Sequence, residues 1–113
     1  MSTRIDLDFF HNLLDSFKNP VLFADTEHVV RYLNRAARQF YPDGDRLLGR
    51  SLLDCHNQTS QRQMVDIMGQ MQDGLDETLI TDNDRRRIYM RAVRDRAGLL
   101  IGYYERFEPP LGK

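Results

Sequence analysis

The amino-acid sequence predicts an α+β domain, in which short helices cover one face of a five-stranded antiparallel sheet. Five short runs rich in β-branched and aromatic residues are bounded by turn residues, as strands are. They occur as a group of two and a group of three, separated by helical sequence, and an amphipathic helix precedes them. Central helices packed on the sheet would cover its apolar face and leave room for a pocket between the two layers.

Composition limits the classes of function. The 113 residues carry a formal net charge of -1, with 41% hydrophobic and 29% charged residues, which is typical of one globular domain. Balanced charge argues against nucleic acid or an anionic membrane as the main partner. No run approaches the roughly 18 apolar residues of a membrane span. The start of the chain does not resemble a signal peptide, and a single cysteine fits a reducing compartment, so we expect a cytoplasmic protein.

The first element is a predicted helix over 5–17, which ends at Asn19-Pro20. Apolar residues three and four positions apart give it a wide aromatic face, which we expect to be a dimer or signalling interface. The residues of this predicted interface are Ile5, Phe9, Phe10, Leu13, Leu14 and Phe17.

A hairpin is predicted next, with strands over 20–25 and 29–33 joined by a tight turn. Asn34 is a good N-cap for a short helix over 35–40, because its side chain can accept a hydrogen bond from a free backbone N–H. Turn residues over 41–45 end that helix.

The central region contains a longer predicted helix. Residues 46–56 are expected to be short helical or irregular structure, and Ser60 with Gln63 forms a capping-box pattern at the start of the helix. Its apolar stripe consists of Met64, Ile67, Met68 and Met71, and Gly74 ends it.

Three strands complete the prediction, over 77–81, 87–93 and 99–107, with turns at 82–84 and 95–98. Alternation places Ile88, Met90 and Ala92 on one face of the second of them. The expected organisation is an N-terminal helix over 1–18, a core over 19–108 and a flexible tail over 109–113.

This order of elements resembles the PAS sensory domain over residues 9–107. The segment 19–25, the Asn34-led helix, Leu47-Leu48-Gly49-Arg50 and the closing hairpin over 93–102 are each similar to a family element. The resemblance implies a PAS-like five-stranded antiparallel sheet that encloses a ligand pocket and has a sensory role.

A narrower resemblance involves Cys55-His56 followed by Ser60, which looks like a PAS subgroup with a cysteine-histidine-proline-proline-lysine-serine signature. It is also similar to the heme-binding PAS domain of carbon-monoxide-responsive bacterial regulators, in which the matching histidine binds iron. Asn57 and Gln58 stand where the signature has prolines. The resemblance implies heme b, with His56 as the iron ligand.

Two interpretations of His56 stay open: a heme ligand, or a histidine that bonds backbone groups at the start of the next helix. Met64, Met68, Met71 or Met90 could supply a weak second iron ligand. Cys55 is interpreted as an inert buried thiol, with redox sensing as the alternative. The full set of expected cofactor-binding residues is His56, Phe23, Tyr32, Leu53, Met64, Ile67, Met68, Met71, Ile88 and Met90.

The leading hypothesis is therefore a sensory domain that binds a small cofactor or ligand in its core. Its alternative is a cofactor-free module for protein interaction and dimerisation. Both imply a homodimer and a signalling protein in trans, such as a kinase or regulator. No catalytic constellation occurs, so we do not expect an enzyme. The Arg85-Arg86-Arg87 turn, His11 and His28 are expected to be solvent-exposed.

Overall fold

The computed structural model describes residues 3–111, except for the side chain of Cys55. Its centre is a five-stranded antiparallel sheet with the strand order β2-β1-β5-β4-β3, as the sequence predicts for the fold class. Helices connect β2 to β3 and cover one face. The elements are α1 (Leu7–Asp15), β1 (Val21–Asp25), β2 (Val30–Leu33), α2 (Arg35–Phe40), two 3₁₀ helices (Gly44–Leu47 and Leu52–Cys55), α3 (Gln58–Gln72), β3 (Glu77–Asp82), β4 (Arg87–Arg94) and β5 (Leu100–Glu108).

The ends of the helices follow from their caps. Asp6 accepts a hydrogen bond from the Phe9 amide at 3.0 Å, so α1 begins at Leu7 and not at Ile5. The helix ends at Asp15, two residues before the predicted end at Phe17. The predicted capping box at Ser60 is wrong. Asn57 is the N-cap of α3 and accepts from the Ser60 amide at 2.9 Å, so the helix begins two residues before Ser60.

The buried amide of Asn34 joins three parts of the fold. Its oxygen accepts from the Ala37 amide, as a helix N-cap does, and from the Val21 amide at the start of β1, both at 2.9 Å. Its nitrogen donates to the Leu14 carbonyl at 2.9 Å and to the Asn19 carbonyl at 3.1 Å. One side chain therefore fixes α2, β1 and the end of α1 relative to one another.

Strand alternation divides the sheet into two faces. Leu22 and Ala24 of β1 point into the core, and Met90 and Tyr103 join them from β4 and β5. The apolar stripe of α3 packs against this face, where Met64, Ile67, Met68 and Met71 are all buried. The core therefore lies between the sheet and the central helices.

The opposite face of the sheet carries an apolar groove beside α1. This groove, here called the α1 groove, has a volume of about 400 Å³. The ring of His11 stacks on Tyr32 with centroids 5.4 Å apart, and the Tyr32 hydroxyl donates to Asp15 at 3.3 Å. Its lining residues are Leu14, Phe17, Val21, Phe23, Tyr32, Val93 and Tyr104.

The arginine turn between β3 and β4 is only partly solvated, in contrast to the expectation. Arg85 is exposed, whereas Arg86 is half-buried and places its guanidinium 4.9 Å from the centre of the Phe40 ring. Arg87 donates to the Pro109 carbonyl at 3.0 Å. Two of the three arginines therefore hold neighbouring segments, because cations bind well to aromatic faces and carbonyl oxygens.

Candidate ligand site

Two adjacent cavities lie between the sheet and the central helices, with volumes of about 240 Å³ and 310 Å³. Tyr41, His56 and Glu105 line both of them, and these three residues are here called the polar trio. The first cavity is otherwise lined by Phe40, Ser60, Gln63, Met64, Ile67, Ile80, Thr81, Ile88 and Met90. The second is otherwise lined by Pro42, Asp43, Leu47 and Leu52.

Glu105 is a charged residue type in the interior of the domain, where its side chain is only 8% exposed. It lies between Tyr103 and Phe107 on the inward face of β5, where alternation otherwise places apolar side chains. The Tyr41 hydroxyl donates to its Oε1 at 2.5 Å. Burial raises the pKa of Glu105, although the Tyr41 hydrogen bond and the nearby His56 oppose that shift.

His56 follows the second 3₁₀ helix and is half-buried at the wall of both cavities. Its Nδ1 lies 2.8 Å from the Leu52 carbonyl oxygen. Because a carbonyl oxygen only accepts, Nδ1 must carry the proton, and Nε2 of the neutral ring is then an acceptor. The side chain of Gln61 donates to the carbonyls of Leu53 and His56, both at 2.9 Å, and so fixes the segment that presents the ring.

The structure places five of the expected cofactor-binding residues around the first cavity. These five are His56, Met64, Ile67, Ile88 and Met90. The His56 ring bonds backbone, but its partner is the Leu52 carbonyl of the preceding 3₁₀ helix and not the start of the next helix. Met68 and Met71 are buried in the core, but they line neither cavity.

The other three expected residues lie elsewhere. Phe23 and Tyr32 line the α1 groove on the opposite face of the sheet, because the neighbours of Phe23 in β1, Leu22 and Ala24, take the inward positions. Leu53 lines neither cavity and instead contributes to a surface depression beside α3. These placements correct the expected lining.

Sequence reasoning missed Tyr41 and Glu105. Tyr41 belonged to a predicted turn, and Glu105 to a predicted apolar strand. The available signal was the alternation of β5, where Tyr103, Glu105 and Phe107 share one face. A carboxyl on an otherwise apolar face indicates a buried polar site.

His28 was expected to be exposed, and that expectation is wrong. The residue is only 7% exposed, has φ of 66°, and its Nδ1 lies 2.9 Å from the Tyr103 hydroxyl oxygen. Burial lowers the pKa of His28. His11, in contrast, is exposed on α1, as expected.

The raised pKa of Glu105 predicts a pH-dependent effect of the substitution Glu105→Gln. Above the ordinary glutamate value of 4.5 the unfolded chain loses its proton while the folded carboxyl keeps it, so wild-type stability falls as pH rises through this range. Glutamine keeps the hydrogen bond from Tyr41 and does not titrate. Urea unfolding should show the variant gaining stability relative to wild type above pH 4.5, by at most about 1.4 kcal/mol per pH unit.

The exposed residue Glu27 provides the matched control for this measurement. The Glu27→Gln variant should follow the wild-type pH profile. An unchanged stability difference between wild type and Glu105→Gln from pH 5 to pH 8 would contradict the prediction.

Two further observations concern possible site types. Within residues 3–111, no group of three or more histidine, cysteine, aspartate or glutamate side chains is arranged to hold a metal ion. In the same part of the chain, none of the helices has both the length and the apolarity needed to cross a membrane. The interpretations of the Cys55 thiol concern a side chain outside the described part.

A family model described as "PAS domain" matches residues 10–108, which is most of the chain. This chain is a PAS domain. The match covers every strand, both 3₁₀ helices and both cavities. No curated protein matches the sequence at a significant level.

Solved structures share the PAS fold at low sequence identity. A C-terminal domain from Streptococcus mutans has a TM-score of 0.78 at 17% identity, and the alignment covers 93% of this chain and 85% of the other. The PAS domain of Bordetella pertussis BvgS has a TM-score of 0.64 at 20% identity, with coverages of 95% and 88%. The Vibrio cholerae Aer2 receptor, described as a dual PAS-heme oxygen sensor, has a TM-score of 0.58 at 18% identity, with coverages of 80% and 92%.

Proposed function

We propose that this PAS domain is a sensory module that binds a small ligand beside the polar trio. The supporting observation is that Tyr41, His56 and Glu105 bring a buried carboxyl, a phenol and an imidazole to the wall of two cavities. Pockets for small molecules are mostly apolar with a few polar groups that fix the ligand, and they have volumes of about 300–1,000 Å³. The first cavity, of about 240 Å³, is below that range and the second, of about 310 Å³, is at its lower end, which favours a small ligand.

Signalling would follow from contacts that differ between the free and bound states. Tyr41 comes directly after α2, His56 after a 3₁₀ helix, and Glu105 lies on a central strand. A ligand that changes the Tyr41–Glu105 hydrogen bond therefore acts on the helical layer and on the sheet at once. It shifts the domain only as far as its affinities for the two states differ.

The test is a fragment screen read by the ¹³C-methyl signals of the methionines. Met64 and Met90 line the first cavity, whereas Met71 is buried elsewhere in the core and serves as an internal control. We expect at least one small fragment to shift the Met64 and Met90 signals in proportion to its concentration and to leave Met71 unchanged. If no fragment shifts Met64 or Met90, the proposed function fails.

Heme is the sharper hypothesis from the sequence, and the geometry supports it only in part. His56 has the orientation of a ligand, because Nδ1 donates to a backbone carbonyl and Nε2 is left as an acceptor. The two cavities do not have the shape that heme needs. A tetrapyrrole requires one flat slot, whereas the polar trio lies where the two cavities meet. We therefore favour a smaller ligand.

Hemin titration separates these possibilities. We expect the same Soret spectrum from wild type, His56→Ala and His11→Ala, where His11 is an exposed control on α1. A Soret shift in wild type and His11→Ala that disappears in His56→Ala would restore heme as the ligand.

A second role, homodimerisation, is favoured by α1. Phe10, Leu13 and Phe17 are 49%, 46% and 46% exposed, and Phe17 also lines the adjacent α1 groove. An apolar ridge next to an apolar groove can be self-complementary about a two-fold axis.

Of the predicted interface residues, Ile5 is also exposed, Phe9 and Leu14 are half-buried, and Leu14 lines the α1 groove. A second copy of this chain is therefore the proposed partner. A signalling protein in trans and residence in the cytoplasm stay predictions from the sequence.

Leu13→Glu should shift the chain toward monomer, because each two-fold interface would contain the new charge twice. Sedimentation velocity should show the apparent dissociation constant rising about tenfold or more, as expected when an apolar interface residue is lost. Val65→Glu places the same charge at an exposed apolar position of α3 and should leave the dimer unchanged. A monomeric wild type would contradict this second role.

A further inference from the structure

The charges around the two cavities are predominantly acidic. Glu105 lines both cavities and Asp43 lines the second, while neither cavity has a lysine or arginine among its described lining residues. His56 is the one imidazole among these lining residues, and its Nε2 is left as an acceptor because Nδ1 donates to the Leu52 carbonyl. An anionic ligand would meet no fixed positive charge at these walls.

Aromatic rings accompany the carboxyl at the first cavity. Phe40 and Tyr41 line it together, in an edge-to-face arrangement with ring centroids 5.0 Å apart. Aromatic rings attract cations, as the Arg86 guanidinium over the Phe40 ring illustrates, and a carboxylate beside aromatic rings suits an organic ammonium group. Met64, Ile67 and Met90 supply an apolar wall for the remainder of such a molecule.

We infer that the cavity binds a small organic amine, whose ammonium group pairs with Glu105 beside the Phe40 and Tyr41 rings while its hydrocarbon part contacts Met64 and Ile67 of α3. This inference rests on the proposed function and names the class of ligand. Glu105 needs a cationic partner to stay ionised at its buried position, and an ammonium ion supplies one.

The surrounding charges agree with this assignment. Tyr41 faces Glu105 from the end of α2, His56 from the segment after the second 3₁₀ helix, and Tyr103 from β5 itself. Arg86, on the β3–β4 turn, stacks on Phe40 and is absent from the lining of either cavity. An ammonium ion beside Glu105 favours the carboxylate form of that residue. At any pH at which Glu105 is protonated in the free protein, binding of the amine therefore releases a proton, and the affinity for the amine rises with pH.

The experiment compares three probes with one hydrocarbon skeleton: benzylammonium, benzyl alcohol and benzoate. Each is titrated into the full chain at pH 6 and pH 8, with the Met64 and Met90 methyl signals as the readout. Benzylammonium should bind most tightly of the three at both pH values. Glu105→Gln should weaken its binding about tenfold or more, as expected for loss of a charged hydrogen bond.

The control is Glu27→Gln, which removes an exposed carboxyl and should leave all three affinities unchanged. Benzyl alcohol should bind wild type and Glu105→Gln about equally. Benzoate or benzyl alcohol binding more tightly than benzylammonium would overturn the amine assignment and leave the ligand-binding function intact. Failure of benzylammonium to move either methyl signal would also overturn it, whereas the fragment screen decides separately whether the cavity binds any ligand.

Discussion

Replacing Gly102 with alanine is expected to destabilise the domain by about 3 kcal/mol, the upper end of what overpacking of a core usually costs. Gly102 lies on β5 opposite Asp25 of β1, and it is buried. A Cβ atom there would overlap the Ala24 carbonyl oxygen and lie 2.6 Å from Cζ of Phe23. The Phe23 ring could turn away, but the carbonyl belongs to the central strand pair, so the strands themselves would have to separate.

Urea unfolding measures this loss, and Gly69→Ala is its matched control. Gly69 lies within α3, and no heavy atom comes within 4 Å of a Cβ built there. That substitution should be neutral or stabilising by up to about 1 kcal/mol, because alanine favours a helix over glycine. A Gly102→Ala variant as stable as wild type would show that the sheet can widen at this point at little cost.

The second large effect is expected at Asn34. Alanine at this position removes four hydrogen bonds of a fully buried side chain, two from the amides of Val21 and Ala37 and two to the carbonyls of Leu14 and Asn19. Loss of a helix N-cap costs about 1 kcal/mol, and each further hydrogen bond contributes about 0.5–1.5 kcal/mol net. We therefore expect a loss of about 3–4 kcal/mol, measured by urea unfolding.

Asn57→Ala serves as the comparison, because Asn57 caps α3 through one exposed hydrogen bond. It should cost about 1 kcal/mol. Equal losses in the two variants would contradict the view that Asn34 does more than cap a helix. Amide exchange should also become faster at the Val21 amide in Asn34→Ala, since that group loses its acceptor.

Local patterns were sufficient to predict the fold. The alternation of β4 and the helical spacing of the α3 stripe depend on neighbouring residues, and both agree with the structure. Asn34 was predicted as a cap because capping is also local. Its bonds to Leu14 and Asn19 were outside the reach of sequence reasoning, because they depend on how α1 packs.

The candidate site was harder to predict, because its residues meet only in the folded chain. Tyr41 and Glu105 are 64 positions apart, and neither belongs to a recognisable motif. Alternation separates Phe23 from Leu22 but does not say which of the two faces the helices. Phe23 lines the α1 groove because its neighbours Leu22 and Ala24 pack into the core on the other face of the sheet.

The position of β5 has a consequence for biosynthesis. Of the five strands of the sheet, β5 is the last to leave the ribosome, yet it pairs with β1 on one side and with β4 on the other. Until it emerges, the nascent chain holds two separate hairpins, each with an open edge, and contacts between distant residues form slowly. Completion of the domain therefore waits for residues 100–108, and the incomplete polypeptide is the form that most needs chaperone protection against self-association.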